Sequence, residues 1–120
     1  MLSWYRRVLV MQDGIEILEE RAGTGPEASQ GDIVRFDCAV ALDQRTVQAK
    51  HEQKTWLGSR RIAPGVTEAL RGMRPGGYRR VRVAPHLAFG SGPRPKSLRA
   101  DSVLEYELWL NEIHTTVAEV

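Results

Sequence analysis

The chain has 120 residues, of which 42% are hydrophobic, and a formal net charge of +2. This length predicts one domain, the apolar content is sufficient for a packed core, and the small net charge gives little indication of a polyanionic partner. No apolar run reaches the roughly 20 residues of a membrane span, so we expect a soluble, cytoplasmic protein without membrane association.

Strands separated by turns are predicted for the first part of the chain. Residues 4–11 contain the aromatic and β-branched side chains typical of a strand. The Asp13-Gly14 pair that follows favours a tight hairpin, because glycine accepts a positive φ. A second strand is expected over residues 15–20, and the turn-forming residues concentrated in 21–31 predict a surface loop.

The next part of the chain predicts a longer strand and two short ones. Over residues 33–42, apolar side chains alternate with polar ones in the first half, which is typical of a half-buried strand. The chain then turns and returns over residues 46–49. The polar residues 50–54 separate this strand from another short one at 55–57.

A short helix followed directly by a strand forms the centre of the predicted fold. Apolar residues recur at helical spacing over 66–71 and at period two over 78–83. An irregular loop opened by Pro85, a proline-rich loop over 91–101 and a last strand over 103–113 complete the chain. About six strands and one short helix, without βαβ alternation, predict an antiparallel α+β domain.

The central segment also resembles a known family. The sequence A-L-R-G-M-R-P-G-G at 69–77, followed by R-R-V-R-V-A-P-H-L-A-F-G at 79–90, is similar to the signature of FKBP-type peptidyl-prolyl isomerases. Shorter matches follow the family's order over roughly residues 15–113: G-T-G at 23–25, G-D-I-V at 31–34, W-L-G at 56–58, P-G-V at 64–66 and D-S-V-L-E-Y-E-L at 101–108.

The resemblance implies a fold and a domain organisation. It predicts an FKBP-like twisted antiparallel β-sheet of about five to six strands, wrapped around one short α-helix. The whole chain, 1–120, would form a single domain of this type, with residues 1–14 as an N-terminal strand extension.

Several positions of the implied pocket differ from the family pattern. Cys38 stands where the pattern has a tyrosine, and Val47 and Gln48 replace a phenylalanine and an aspartate. Val66 replaces the tryptophan of the pocket floor. Phe89 lacks the hydroxyl of the tyrosine that, in the family, donates a hydrogen bond to a bound carbonyl. The pocket that this predicts has smaller and less polar walls.

The resemblance also implies which residues bind substrate. The backbone N–H of Ala63 would donate to the bound peptide whatever its side chain, and Tyr106 keeps the aromatic ring of the last strand. Without the resemblance, Val47, Val66 and Leu98 would be interpreted as core residues and Cys38 as a small buried hydrophobe. The implied substrate-binding set is Cys38, Val47, Gln48, Ile62, Ala63, Val66, Phe89, Leu98 and Tyr106.

Other kinds of site find little support in the sequence. The three histidines, His51, His86 and His114, lack the short spacings of metal ligands, so we expect neither a metal nor another cofactor. The arginines lie on a helix, loops and a strand instead of forming a nucleic-acid motif, so we interpret them as solvated surface and expect no nucleic-acid partner. They are Arg60, Arg61, Arg71, Arg74, Arg79, Arg80 and Arg82.

Two functions follow from the resemblance. The first is peptidyl-prolyl cis-trans isomerisation of X-Pro bonds, with activity reduced by the substituted pocket; this reaction needs no nucleophile, so no catalytic residue is predicted. The alternative is a non-catalytic FKBP-like protein-interaction module. Either function predicts proline-containing peptide or protein clients, weak or no macrolide binding, and a monomer.

Overall fold

The computed structural model describes residues 4–5, 9–12, 14–88 and 103–114, which form one antiparallel sheet and two short helices. None of the helices in these ranges has the length and apolar character needed to cross a membrane. In chain order the elements are β1 (Trp4–Tyr5), β2 (Leu9–Gln12), β3 (Ile15–Arg21), β4 (Ile33–Leu42), β5 (Arg45–Trp56), α1 (Pro64–Leu70), β6 (Tyr78–Val83), α2 (Pro85–Ala88) and β7 (Leu104–His114).

The sheet order differs from the chain order. The five longer strands run β3-β6-β7-β4-β5, and the short strands β1 and β2 both pair with β3. Every pairing between the described strands is antiparallel. The prediction of an antiparallel α+β fold is therefore confirmed.

The inner face of the sheet is apolar. Successive side chains of a strand point to opposite faces, so apolar residues at every second position gather on one face. Along most of β4 and β7, buried side chains alternate with partly exposed ones. Helix α1 packs against the inner face and contributes Val66, Ala69 and Leu70 to the same core as Phe36 and Leu108. The core of the domain thus lies between the sheet and this helix.

Helix α1 begins at a proline and ends just before a glycine. Pro64 is its first residue, two residues before the predicted start; a missing N–H costs no helical hydrogen bond there. Beyond the other end, Gly72 has a φ of 85°, which glycine adopts without steric cost. Gly65 approaches β6 so closely that an added Cβ would lie 2.5 Å from Cγ1 of Val83. This approach positions the first turn of the helix against the sheet.

Arg79 on β6 stabilises the other end of α1. Its Nη1 donates to the carbonyl oxygens of Ala69 at 2.8 Å and Arg71 at 3.0 Å, and its Nε donates to the Glu20 carboxylate at 2.7 Å. A cation at this end of a helix satisfies carbonyls that lack helical partners and interacts favourably with the helix dipole. The side chain is only 12% exposed, so the prediction that Arg79 belongs to the solvated surface is wrong.

The outer face of the sheet carries ion pairs between neighbouring strands. Arg80 of β6 contacts Glu19 of β3 at 3.0 Å and Glu105 of β7 at 2.9 Å, and Arg82 contacts Glu16 at 3.1 Å. We call these five residues the outer ladder. Arg80 and Arg82 lie directly opposite Glu19 and Glu16, whereas Glu105 is diagonal to Arg80. Opposite charges in such positions favour the strand pairing by a modest amount.

Three predicted boundaries are wrong. The N-terminal segment contains two strands, β1 and β2, instead of one over 4–11. Strand β5 is continuous through the polar residues 50–54, because it is an edge strand with mostly exposed side chains and its polarity does not interrupt the pairing. The segment opened by Pro85 forms the helical turn α2 instead of an irregular loop, since proline is accommodated at a first helical position. The predicted loop over 91–101 lies outside the described residues.

Candidate functional site

A cavity of about 430 Å³ opens on the inner face of the sheet, between β4, β5, β7 and the segment that leads into α1. Most of its side chains are apolar and a few are polar, which is the usual composition of a small-ligand or peptide pocket. It is lined by Cys38, Val40, Val47, Gln48, Gln53, Arg61, Ile62, Ala63, Val66, Leu104 and Tyr106.

The cavity brings together most of the residues that the sequence predicts to bind substrate. Phe89 and Leu98 lie outside the described residues. The other seven predicted residues line the cavity: Cys38, Val47, Gln48, Ile62, Ala63, Val66 and Tyr106. Their convergence is a property of the structure, whereas their contact with a substrate stays a prediction.

One wall of the cavity is built by the pairing of β4 with β7. Val40 lies directly opposite Tyr106 in this pairing, and Cys38 is the next residue of β4 on the same face. Cys38, Val40 and Tyr106 are 3%, 6% and 7% exposed. The strand pairing and the alternation of side chains along each strand therefore place these three residues on one wall. Because they are almost completely buried, little water reaches the wall.

A β-bulge shapes the mouth of the cavity. Val40 pairs with Gln48, and the next residue, Ala41, pairs with Thr46, which leaves Val47 as an extra residue in β5. A bulge of this kind re-aims side chains. It explains why the consecutive residues Val47 and Gln48 both line the cavity. Val47 is 42% exposed and lies at the mouth.

The first residues of α1 and the segment before it close the cavity on the other side. Val66 and Ile62 are buried here. The carbonyl oxygen of Ala63 accepts hydrogen bonds from the N–H groups of Val66 at 3.0 Å and Thr67 at 3.2 Å. Among the described residues, no group accepts a hydrogen bond from the N–H of Ala63 itself. This donor is consequently available to a ligand carbonyl.

Gln53 provides a polar group at the cavity. Its Nε2 lies 2.7 Å from Nε2 of His51, whose Nδ1 lies 2.9 Å from the carbonyl oxygen of Ala49. Since a carbonyl oxygen can only accept, Nδ1 carries the proton of the neutral ring, and Nε2 accepts from the Gln53 amide. The side-chain oxygen of Gln53 is not used in this contact and remains an acceptor.

Burial keeps the acidic groups of the cavity protonated. Burial raises the pKa of the Cys38 thiol to about 12. It also raises the pKa of the Tyr106 hydroxyl to about 12, with a smaller contribution from the neighbouring Cys38. Both groups are neutral at physiological pH, and a neutral thiol is a poor nucleophile. The cavity is thus suited to binding and excluding water more than to covalent chemistry.

Four lining residues were not predicted: Val40, Gln53, Arg61 and Leu104. Val40 and Leu104 could have been predicted from the sequence, because each lies two positions from a predicted pocket residue and hence on the same face of its strand. Gln53 lies in the polar segment that was interpreted as a break between strands. Nothing in the sequence distinguishes Arg61 from the arginines that are interpreted as solvated surface. In the part of the chain that the structure describes, no three His, Cys, Asp or Glu side chains are grouped to hold a metal ion.

The fold and the cavity together define the class to which the chain belongs. An antiparallel sheet packs around a short helix, and a cavity lined mostly by apolar side chains, with Gln48, Gln53 and Arg61 among them, lies where the first turn of the helix meets the sheet. The family model described as "FKBP-type peptidyl-prolyl cis-trans isomerase" matches residues 25–111. The chain belongs to the FKBP-type peptidyl-prolyl cis-trans isomerase family.

Individual relatives agree with this assignment. The chain is 31% identical over 119 residues to chloroplastic peptidyl-prolyl cis-trans isomerase FKBP19 of Arabidopsis thaliana, a match that covers 81% of the chain and 46% of that protein. It is also 31% identical over 105 residues to peptidyl-prolyl cis-trans isomerase FKBP12 of Vicia faba, covering 79% of the chain and 94% of the relative. The chain thus spans about half the length of the first relative and nearly all of the second.

A solved structure supports the fold independently. The crystal structure of a peptidyl-prolyl cis-trans isomerase from Pseudomonas syringae superposes on the chain with a TM-score of 0.76 at 24% sequence identity. The superposition covers 90% of this chain and 81% of that one. The backbone architecture is therefore shared even where three quarters of the side chains differ.

Proposed function

We propose that the chain catalyses cis-trans isomerisation of X-Pro bonds in peptide or protein clients, with activity reduced by the small side chains of its cavity. The observation that carries this proposal is the cavity itself. Its buried wall is neutral, and Ala63, whose N–H has no acceptor among the described residues, belongs to its lining. A binding site with these properties fits an X-Pro segment, whose ring is apolar and whose carbonyls accept hydrogen bonds.

The chemistry follows from the electronic structure of the amide. Rotation about a peptide bond has a barrier of about 18–20 kcal/mol, because planarity is maintained by resonance. At the twisted geometry this resonance is lost, and the proline nitrogen becomes pyramidal and less positive. A water-poor cavity stabilises that less polar species relative to the planar ground state, and only such differential stabilisation accelerates a reaction. During this rotation, the N–H of Ala63 would donate a hydrogen bond to a peptide carbonyl and so hold the substrate in place.

The reduced activity is inferred from what the cavity contains. Tyr106 is the one aromatic side chain among its described lining residues. Val66 and Cys38 occupy less of the space than aromatic rings would, so a proline ring makes fewer contacts with them. Each buried CH₂-sized contact contributes about 0.8 kcal/mol, so one that is made only with the twisted species would change the rate about fourfold when it is lost.

A protease-coupled assay on a Leu-Pro tetrapeptide tests the proposal. We expect a measurable acceleration by the wild-type chain at micromolar concentration. Val47→Lys, which places a charge at the mouth of the cavity, should lower the acceleration at least about threefold because a charged group is costly beside bound apolar surface. Thr46→Lys is the matched control: the same charge is added one residue away, at a position that lines a concavity on the opposite face of the sheet.

Two results would contradict the proposal. One is the absence of any acceleration by the wild-type chain, with its fold verified by circular dichroism. The other is an equal effect of Val47→Lys and Thr46→Lys, which would locate the activity away from the cavity.

The second candidate function is a non-catalytic module that binds proline-containing segments. The scarcity of aromatic rings in the cavity favours it, because binding needs fewer contacts than selective stabilisation of a transition state does. It predicts saturable binding of a proline peptide without acceleration of its isomerisation. Both candidates predict weak or no binding of an immunosuppressant macrolide, so nanomolar affinity in a titration would contradict our description of the cavity.

Other properties of the chain stay predictions. We expect a monomer, and we expect a cytoplasmic location. The Arabidopsis relative is named as chloroplastic and a relative from Drosophila melanogaster as nuclear, so relatives of this chain do not share one compartment. Gel filtration and localisation of a tagged full chain would test the two expectations separately.

A further inference from the structure

The charge at the mouth of the cavity is unbalanced. Arg61 is exposed and belongs to the lining, and its backbone N–H donates to Oγ of Ser59 at 3.0 Å, which fixes the local chain. Among the described residues, no carboxylate lies within ion-pair distance of its guanidinium. The positive charge therefore faces the cavity mouth without a partner from the described part of the fold.

Most other described arginines differ from Arg61 in this respect. Each of six has a carboxylate oxygen within 3.3 Å: Arg35, Arg71, Arg74, Arg79, Arg80 and Arg82. Their charges are balanced within the fold. Arg61 combines an unbalanced charge with a position at the cavity.

The rest of the cavity does not compensate this charge. None of its described lining residues is an aspartate or a glutamate. Gln48 and Gln53 are neutral amides, and burial keeps Cys38 and Tyr106 protonated. Among the described lining residues, a ligand that enters the cavity thus meets one formal charge, which is positive.

We infer that the cavity prefers X-Pro segments in which an acidic residue directly precedes the proline, and that Arg61 determines this preference. The inference rests on the proposed function, because it assumes that the proline ring occupies the same cavity. With the ring held against buried apolar side chains such as Val66 and Ile62, the neighbouring peptide side chain would lie nearer the mouth. Charges at the rim of a binding site contribute selectivity and association rate more than total affinity.

Three peptides that differ at one position test the inference. They carry Glu-Pro, Gln-Pro or Lys-Pro in an otherwise identical neutral sequence, and both their dissociation constants and their isomerisation rates are measured by NMR. We expect Glu-Pro to bind about two- to fivefold more tightly than Gln-Pro, and Lys-Pro to bind more weakly by a similar factor, which is the range for exposed ion pairs. The differences should shrink in about 1 M salt, where the Debye length falls to roughly 3 Å.

Variants of two adjacent arginines connect the preference to one side chain. Arg61→Gln should abolish the preference, and Arg61→Glu should reverse it in favour of Lys-Pro. Arg60→Glu is the matched control: Arg60 is also exposed but does not line the cavity, and its substitution changes the net charge equally. We expect it to preserve the order of the three peptides.

The possible results separate the inference from the proposed function. Preferential binding of Glu-Pro without any isomerisation would support the inference and contradict the isomerase proposal. Equal affinities for the three peptides, or a preference that Arg60→Glu alters as much as Arg61→Glu, would overturn the inference even if isomerisation is observed. Absence of binding to every peptide would overturn both.

Discussion

The two faces of the sheet use the same strands for different purposes. On the inner face, packed side chains such as Phe36 and Leu108 are completely buried, and the cavity lies beside them. On the outer face, the outer ladder joins β3, β6 and β7 through charges that remain partly exposed. Buried apolar area contributes much more free energy than exposed ion pairs do. Stability and the proposed ligand binding therefore depend on the same face, whereas we expect substitutions on the outer face to cost little.

Truncation of one side chain on each face gives the largest expected contrast. Phe36→Ala should lower the free energy of unfolding by about 3–5 kcal/mol, because it removes a fully buried ring and leaves a cavity. Arg82→Ala, which removes an exposed pair with Glu16, should cost less than about 1 kcal/mol. Urea denaturation of both variants measures the difference. Equal costs would show that the outer ladder contributes far more than exposed ion pairs usually do.

Arg79 should be an exception to the rule that charged side chains of the sheet contribute little to stability. It is charged, yet it lies mostly buried and donates to Glu20 and to two carbonyls at the end of α1. Arg79→Met keeps the apolar stem and leaves these acceptors without their donor, so we expect a loss of about 2 kcal/mol in urea denaturation. This is more than Arg82→Ala should cost and less than Phe36→Ala should cost.

The conservative variant identifies the source of the effect. Arg79→Lys retains the charge but cannot reach a carboxylate and two carbonyls in the planar geometry of a guanidinium. It should therefore recover only part of the loss. Full recovery by lysine would mean that the charge alone matters and that the hydrogen bonds to Ala69 and Arg71 contribute little.

The parts of the fold that could be predicted from sequence are those in which burial alternates. β4 and β7 show period-two patterns because one face of each meets the core, and both strands were located within a residue or two. For β5 the sequence predicts two short strands instead of one, because most of its side chains are exposed and its apolar residues do not alternate along its whole length. Arg79 was misassigned because its burial depends on Glu20 and α1, which are distant in sequence.

The candidate site was predictable for a different reason. Cys38, Val66 and Tyr106 belong to separate elements, and only the resemblance to a family indicated that they converge. Residues that follow from no pattern were missed. Arg61 is the clearest case, because an arginine between a turn and a helix is usually solvated, and its position at a cavity depends on how β5 and α1 are joined.

The last prediction concerns alkaline pH and the buried thiol of Cys38 on the inner face. Burial raises the pKa of the Cys38 thiol from 9.0 to about 12 in the native state. Between these values the unfolded chain releases the thiol proton while the native chain retains it, so the free energy of unfolding falls as pH rises. From pH 8 to pH 10 we expect Cys38 to contribute a loss of about 1 kcal/mol, since one pKa unit corresponds to about 1.4 kcal/mol.

Urea denaturation at pH 8, 9 and 10 measures this loss, and Cys38→Ala assigns it. The alanine variant is less stable at pH 8 because it lacks a buried group, but its stability should fall less steeply with pH since it has no thiol to ionise. A slope identical in the two proteins would mean that the Cys38 thiol ionises as readily in the folded cavity as in the unfolded chain, which would contradict the water-poor wall assumed in the proposed function.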